Sequence, residues 1–175
     1  SLSSLHCAGR HDRHELAVEQ HDENKHGCEM DSRHRQQRAP PDPVRVVDGD
    51  TIVVSLAGSE DRVRYTGIDA PEVTGAGGGM EPFGPEATAA NRTLVEDRRV
   101  CLESDITDRD RYGRLLRYVW LEDGTLVNEA LLAAGMARVS TFPPDVKYVE
   151  SRYLPAQRDA REAGRGIWSG KGGNW

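Results

Sequence analysis

Two short runs decide how this chain reads: Val47-Asp48-Gly49-Asp50-Thr51 and Ile68-Asp69-Ala70-Pro71-Glu72. Between them Ile52, Val54 and Leu56 alternate with their neighbours, a polar turn follows, and Val63 and Tyr65 resume the alternation. That period of two is the pattern of a β-hairpin. A turn centred on Gly58-Ser59-Glu60-Asp61 puts Asp50 directly opposite Asp69 across the ladder. Facing residues in an antiparallel pair lie about 4.5–5.5 Å apart, and like charges there repel. Two carboxylates placed this way point to a hard cation held through their oxygens.

Working outward, the 175 residues suffice for one domain with a core and an appendage. No apolar run approaches the roughly 20 residues of a membrane span. The formal charge is −6, of which residues 1–43 carry −2 and the remainder −4. An acidic domain is not the usual footprint of a nucleic-acid binder, so any polyanionic partner needs a local basic cluster or an intervening cation.

Residues 1–43 read as a polar tail, with too few apolar side chains to offset the entropy of ordering. All six histidines lie there, together with Cys7 and Cys28, which offer a candidate disulfide or adventitious zinc ligands without a recognisable finger spacing. Cys101 lies in an apolar strand pattern and reads as a small buried side chain. The chain begins at Ser1, and Leu2 to Cys7 is a candidate remnant of a signal or lipoprotein segment.

The folded part is expected over residues 44–170, with 171–175 as a second tail. Val44–Val47, Thr51–Leu56, Arg62–Ile68, Arg98–Glu103 and Leu115–Leu121 read as strands, and Val139 as a strand fragment. Pro85 opens a helix that ends near Asp97, and Thr125–Ala134 forms a second. Val146, Val149, Tyr153, Ala156, Ala160, Ala163 and Ile167 mark one face of a third, which Pro155 should kink or restart. The glycine-rich run between Val73 and Gly84 is a connector or a flap beside the carboxylates. Short strands without βαβ alternation suggest a small antiparallel barrel.

The expected folded part contains no histidine, which excludes an internal Ser-His-Asp triad and a His-Glu-x-x-His zinc site. Carboxylates and arginines remain. Arg64 points away from the face of Val63 and Tyr65, Glu72 follows Asp69 by three residues, and Asp108-Arg109-Asp110-Arg111-Tyr112-Gly113-Arg114 supplies local basic charge. These residue types suit phosphodiester hydrolysis. A cation screens the phosphate, guanidinium forks match its oxygens, and a free carboxylate can orient or deprotonate water. Surface salt bridges and an Asp-Gly turn are the plainer reading of the same residues.

Taken with Val127-Asn128-Glu129-Ala130-Leu131 and Gly166-Ile167-Trp168, these runs occur in the order seen in the staphylococcal-nuclease-like (thermonuclease) family, which the chain resembles from about Val44 to Ser169. The resemblance implies a mainly β fold, a five-stranded Greek-key OB-fold barrel with three helices. It implies calcium-dependent endonuclease hydrolysis of DNA, single- or double-stranded, and of RNA by a monomer, secreted or held at the cell envelope. It implies Asp50, Asp69 and the backbone carbonyl of Ala70 as calcium ligands, with Asp48 beside them. Glu72 becomes the base or water-orienting group, and Arg64 and Arg114 grip the phosphate. Arg111 stands where the family often has a basic residue, beside Tyr112. The family's nucleotide-flanking tyrosines are replaced around Ser140-Thr141-Phe142-Pro143, leaving Phe142 and Tyr148 as the candidates for base stacking. The competing readings are an inactive OB module that binds nucleic acid or protein, and a histidine-tail metal binder. The intact set Asp50, Arg64, Asp69, Glu72 and Arg114 favours the enzyme.

Overall fold

A computed structural model describes residues 37–38, 44–73 and 79–170. The rest of the tail, with its histidines, Cys7 and Cys28, lies outside the described residues, as do 74–78 in the glycine-rich run and 171–175. Gln37–Arg38 (β1) falls within the stretch read as tail and pairs with Val100–Glu103 (β6).

The main sheet has six strands in the order β1-β6-β7-β4-β3-β2, with Arg45–Val46 as β2, Thr51–Leu56 as β3, Ser59–Tyr65 as β4 and Leu115–Leu121 as β7. Its two edge strands, β1 and β2, come from neighbouring stretches of chain. All pairings are antiparallel except β4 with β7. A separate ribbon joins Ile68–Asp69 (β5) to Arg138–Val139 (β8). With helices Gly84–Val95 (α1), Val127–Ala133 (α2) and Leu154–Glu162 (α3), this is an OB fold.

The hairpin register differs from the expected one. Thr51 faces Arg64 and Leu56 faces Ser59, so the turn is the two-residue Ala57-Gly58. Both have positive φ, 51° and 85°, the geometry that matches strand twist in a tight hairpin. Asp50 therefore lies opposite Tyr65, whose N–H donates to the Asp50 carbonyl at 2.9 Å. Asp69 belongs to the separate ribbon, opposite Arg138. The strand expected from Arg62 to Ile68 breaks at Thr66-Gly67.

The third helical region restarts as Pro155 requires. Val149–Tyr153 forms one π-helical turn, and α3 follows with proline in its first turn. Cys101 is buried at the middle of β6, as an apolar residue would be, but it is disulfide-bonded and so not a plain small hydrophobe. The core is made of Ile52, Val54, Val63, Leu102, Val119, Leu131, Leu132 and Tyr153, with their neighbours.

Asn128 explains why the first turn of α2 matters. It is fully buried, its amide donates to the Thr66 carbonyl at 3.0 Å, and its Oδ1 accepts from the Val119 N–H at 3.0 Å. The Tyr153 hydroxyl donates to the same Thr66 carbonyl at 3.0 Å. The break between β4 and β5 is thereby pinned from two helices, which fixes where Arg64 ends and Asp69 begins. Asn128→Ala leaves a buried N–H and a carbonyl short of partners and should cost about 1–3 kcal/mol, read from urea unfolding. An unchanged midpoint would contradict this account of the joint.

Candidate active site

Asp50 sits where the Asp48-Gly49-Asp50 turn enters β3. The turn is tight because the Asp50 N–H donates to the Asp48 carboxylate at 3.0 Å, and the N–H groups of Val47 and Asp48 both donate to the Thr51 carbonyl. Gly49 lets it press inward: a Cβ there would lie 2.6 Å from the Ala70 Cβ and 2.9 Å from the Ala87 Cβ. The turn is thus wedged between the Asp69 segment and helix α1. The Asp50 carboxylate, 5% exposed as a residue, accepts the Ala70 N–H at 2.7 Å and the Thr51 hydroxyl at 3.1 Å.

Arg64, near the end of β4, lies between the two carboxylates. One guanidinium nitrogen is 2.6 Å from Asp50 Oδ2 and donates to the Ile68 carbonyl at 3.0 Å; the other donates to Asp69 Oδ1 at 3.0 Å. Asp69 also accepts two bonds from Arg138, at 2.9 and 3.2 Å. Asp50 and Asp69 therefore share one guanidinium, though not through the ladder that first suggested their proximity. The parallel pairing of β4 with β7 sets Arg64 opposite Leu116, two residues beyond Arg114. Arg114 is oriented by Asp110, which accepts its side chain at 2.7 Å and its backbone N–H at 3.0 Å. Partial burial pushes the Asp110 carboxyl up, but these hydrogen bonds from Arg114 outweigh it and hold the group below the ordinary range.

Arg64, Arg111, Tyr112, Arg114 and Phe142 line one cleft of about 560 Å³, within the range of small-molecule sites. Tyr112 and Phe142 are 68% and 77% exposed, so their rings are available to a ligand. The guanidinium carbons of Arg111 and Arg114 lie 4.8 and 5.4 Å from the Tyr112 ring centre. Tyr148 stands apart from this cleft. Its ring packs edge-on against Tyr118 and Trp120, and its hydroxyl bonds to the buried carboxylate of Glu103 at 3.0 Å. Burial and the Glu103 charge push that hydroxyl up to about 12. Glu72 is exposed, follows buried Ala70 and Pro71, and does not line the cleft.

Two contributors have partners that no local pattern in the sequence names. Arg138 reaches Asp69 only because β8 pairs with β5. Asn91 of α1, fully buried, accepts the Tyr65 hydroxyl at 2.8 Å and donates to the Asp48 carbonyl at 2.9 Å. An asparagine inside a helical stripe with a large polar residue on a nearby strand hints at such a pair, but does not name the partner.

Burial drives Asp50 from 3.8 up to about 7, against the attraction of Arg64 and the Ala70 N–H and with the repulsion of Asp48 and Asp69. The attraction of Arg64 does not offset burial together with the two acidic neighbours of Asp50, Asp48 and Asp69. Among the described residues no three His, Cys, Asp or Glu side chains converge as a metal cluster. A cation here therefore relies on two carboxylates with backbone oxygens and water, a donor set that suits a hard divalent ion. The two carboxylates converge on one positive group, Arg64, so they lie close enough to share a cation, and an ion there would take over carboxylate oxygens that Arg64 now holds.

A carboxyl raised in the folded state favours folding in its protonated form. That contribution is complete below 3.8 and is lost as pH rises through about 7. In chelator, Asp50→Asn should be more stable than the parent at pH 8 by about 1–4 kcal/mol, and less so at pH 5. Urea unfolding at the two pH values measures the gap; a gap independent of pH would contradict the burial argument.

Residues 62–170 match the family model described as staphylococcal nuclease homologue. The thermonuclease of Staphylococcus hyicus is 39% identical over 126 residues, covering 72% of this chain and 73% of the relative. The endonuclease YncB of Bacillus subtilis is 42% identical over 130 residues, covering 73% of this chain and 61% of the relative. The prophage-derived endonuclease YokF of the same organism is also 42% identical, and there the match spans only 43% of the relative's length. The chain belongs to the staphylococcal nuclease homologue family.

Proposed function

We propose that this chain is a calcium-dependent nuclease that hydrolyses phosphodiester bonds of DNA and RNA. The observation that carries the reading is the pairing of Asp50 and Asp69 around one cationic group, Arg64, at the edge of a cleft that also contains Arg114. The names of the relatives, thermonuclease and endonuclease, support the same reaction class.

In this reading Asp50, Asp69 and the Ala70 backbone carbonyl would hold the calcium ion. When bound, the ion screens the anionic phosphate and polarises a phosphoryl oxygen. Arg64 would grip a phosphate oxygen with the terminal nitrogens that here bond Asp50 and Asp69, while its bond to the Ile68 carbonyl anchors it at the end of β4. Arg114 approaches from β7 with its Nε committed to Asp110, which leaves the two terminal nitrogens as a fork for oxygen. It stabilises charge on the phosphoryl oxygens and on the departing alkoxide. Glu72, exposed and without a salt bridge among the described residues, orients the attacking water or takes its proton. Tyr112 and Phe142 offer faces for a base, and Arg111 adds positive charge beside them; a stacked base contributes about 1–3 kcal/mol. The exposed aromatics favour strands whose bases are accessible. The reading places the enzyme outside the cytoplasm, secreted or at the envelope, as a monomer.

Digestion of single-stranded DNA, duplex DNA and RNA in calcium, magnesium or chelator tests it. Cleavage is expected in calcium and is nearly absent in chelator; equal rates in both would end the metal assignment. Arg64→Ala and Arg114→Ala should each lower kcat about 10²–10³-fold, equivalent to about 2.7–4 kcal/mol of transition-state stabilisation. Glu72→Gln at the parental rate would remove Glu72 from the chemistry.

A further inference from the structure

We propose that Glu81 is the positioning residue for Glu72, an inference that rests on the reading of Glu72 as the group that handles the attacking water. Glu72 and Glu81 are nine positions apart and meet through two reciprocal bonds. The Glu72 N–H donates to the Glu81 carboxylate at 2.8 Å, and the Glu81 N–H donates to the Glu72 carbonyl at 3.0 Å. Both backbone groups of Glu72 are therefore committed to one residue.

Glu81 is in turn fixed to helix α1. The Gly84 N–H donates to the Glu81 carbonyl at 3.0 Å in the turn that leads into the helix. The helix start also touches Glu72 directly: a Cβ at Gly84 would stand 2.6 Å from the Glu72 carbonyl oxygen. The same helix fixes the Asp48–Asp50 turn through Ala87 and Asn91. The proposed base and the proposed ligand turn thus take their positions from one element.

The Glu72 side chain is exposed and has no hydrogen bond or salt bridge among the described residues, so its aim depends on its backbone. The Glu81 carboxylate supplies what the Glu72 amide needs and touches no reacting atom. Its role is to accept a hydrogen bond, which a neutral amide oxygen also does. A purely electrostatic role would instead require the charge. Charge-assisted acceptance of a backbone N–H is among the stronger hydrogen bonds, so its loss frees the Glu72 backbone on the solvent side.

The test compares Glu81→Ala, Glu81→Gln, Glu72→Gln and the double variant Glu81→Ala/Glu72→Gln on single-stranded DNA with calcium. Glu81→Ala should lower kcat about 10- to 100-fold, the range expected when a reacting group is misplaced by an ångström or less. KM and the calcium affinity from calorimetry should stay within about twofold, since neither depends on Glu72 aim. Glu81→Gln should recover most of the rate. Amide hydrogen exchange at Glu72 should speed up in the alanine variant and not in the glutamine variant. In the double variant, Glu81→Ala should add no further loss to Glu72→Gln, because two residues acting as one unit are not additive.

A parental rate in Glu81→Ala would overturn the proposal. So would the same fold loss in the Glu72→Gln background, or a glutamine variant as slow as the alanine one. Full activity of Glu72→Gln is a separate failure, of the reading of Glu72 itself.

Discussion

Arg64 places one guanidinium between the carboxylates of Asp50 and Asp69 and donates to the Ile68 carbonyl. Much of the fold is arranged around this small cluster of charge. Three acidic groups, Asp48, Asp50 and Asp69, approach within interaction range, and burial disfavours the charge on Asp50. Removing one partner from a buried pair costs about 3–5 kcal/mol, and Asp50 remains raised even with its partner in place. The protein therefore carries a region that is electrostatically unfavourable to folding, held by packing elsewhere. Conflict of this kind concentrates at sites of chemistry.

The packing that holds it comes from two helices. Helix α1 wedges Gly49 against Ala70 and bonds Asp48 through Asn91. Helix α2 pins Thr66 through Asn128. Between them, the ends of β3, β4 and β5 are fixed, and these are the places from which Asp50, Arg64 and Asp69 project. The parallel pairing of β4 with β7 then carries Arg114 to the same cleft. Under the proposed mechanism, the main sheet supplies the arginines and the first helix supplies the frame for the acidic residues.

The sequence was legible where a pattern was local. Alternation at Ile52, Val54 and Val63 located the hairpin strands, and Leu115–Leu121 matched its strand to the residue. Pro155 announced the restart of the last helix. The turn was misread because Ala57 adopts a positive φ, which alanine rarely does, while the polar run that follows offered a more ordinary turn. The facing of Asp50 and Asp69 failed with that register. Their proximity survived because Arg64 bridges two separate sheets, a tertiary effect that a ladder argument cannot contain. Arg138 and Asn91 act across long stretches of chain, which no local pattern reports, and Glu81 lies beyond the glycine-rich run, whose path back to Glu72 no pattern predicts. Tyr148 reads as a candidate for base stacking, but its ring packs on Tyr118 and Trp120 and a buried carboxylate, Glu103, holds its hydroxyl.

The central claim is that Asp50 and Asp69 together form a cation site used in catalysis. Calorimetric titration of the parent protein and of Asp69→Asn with calcium, each with and without a non-hydrolysable nucleotide phosphate, tests it most directly. The account predicts one calcium ion per parent chain, tightened by the phosphate ligand, and binding weakened at least about tenfold in Asp69→Asn. Equal calcium affinity in the two proteins would contradict it.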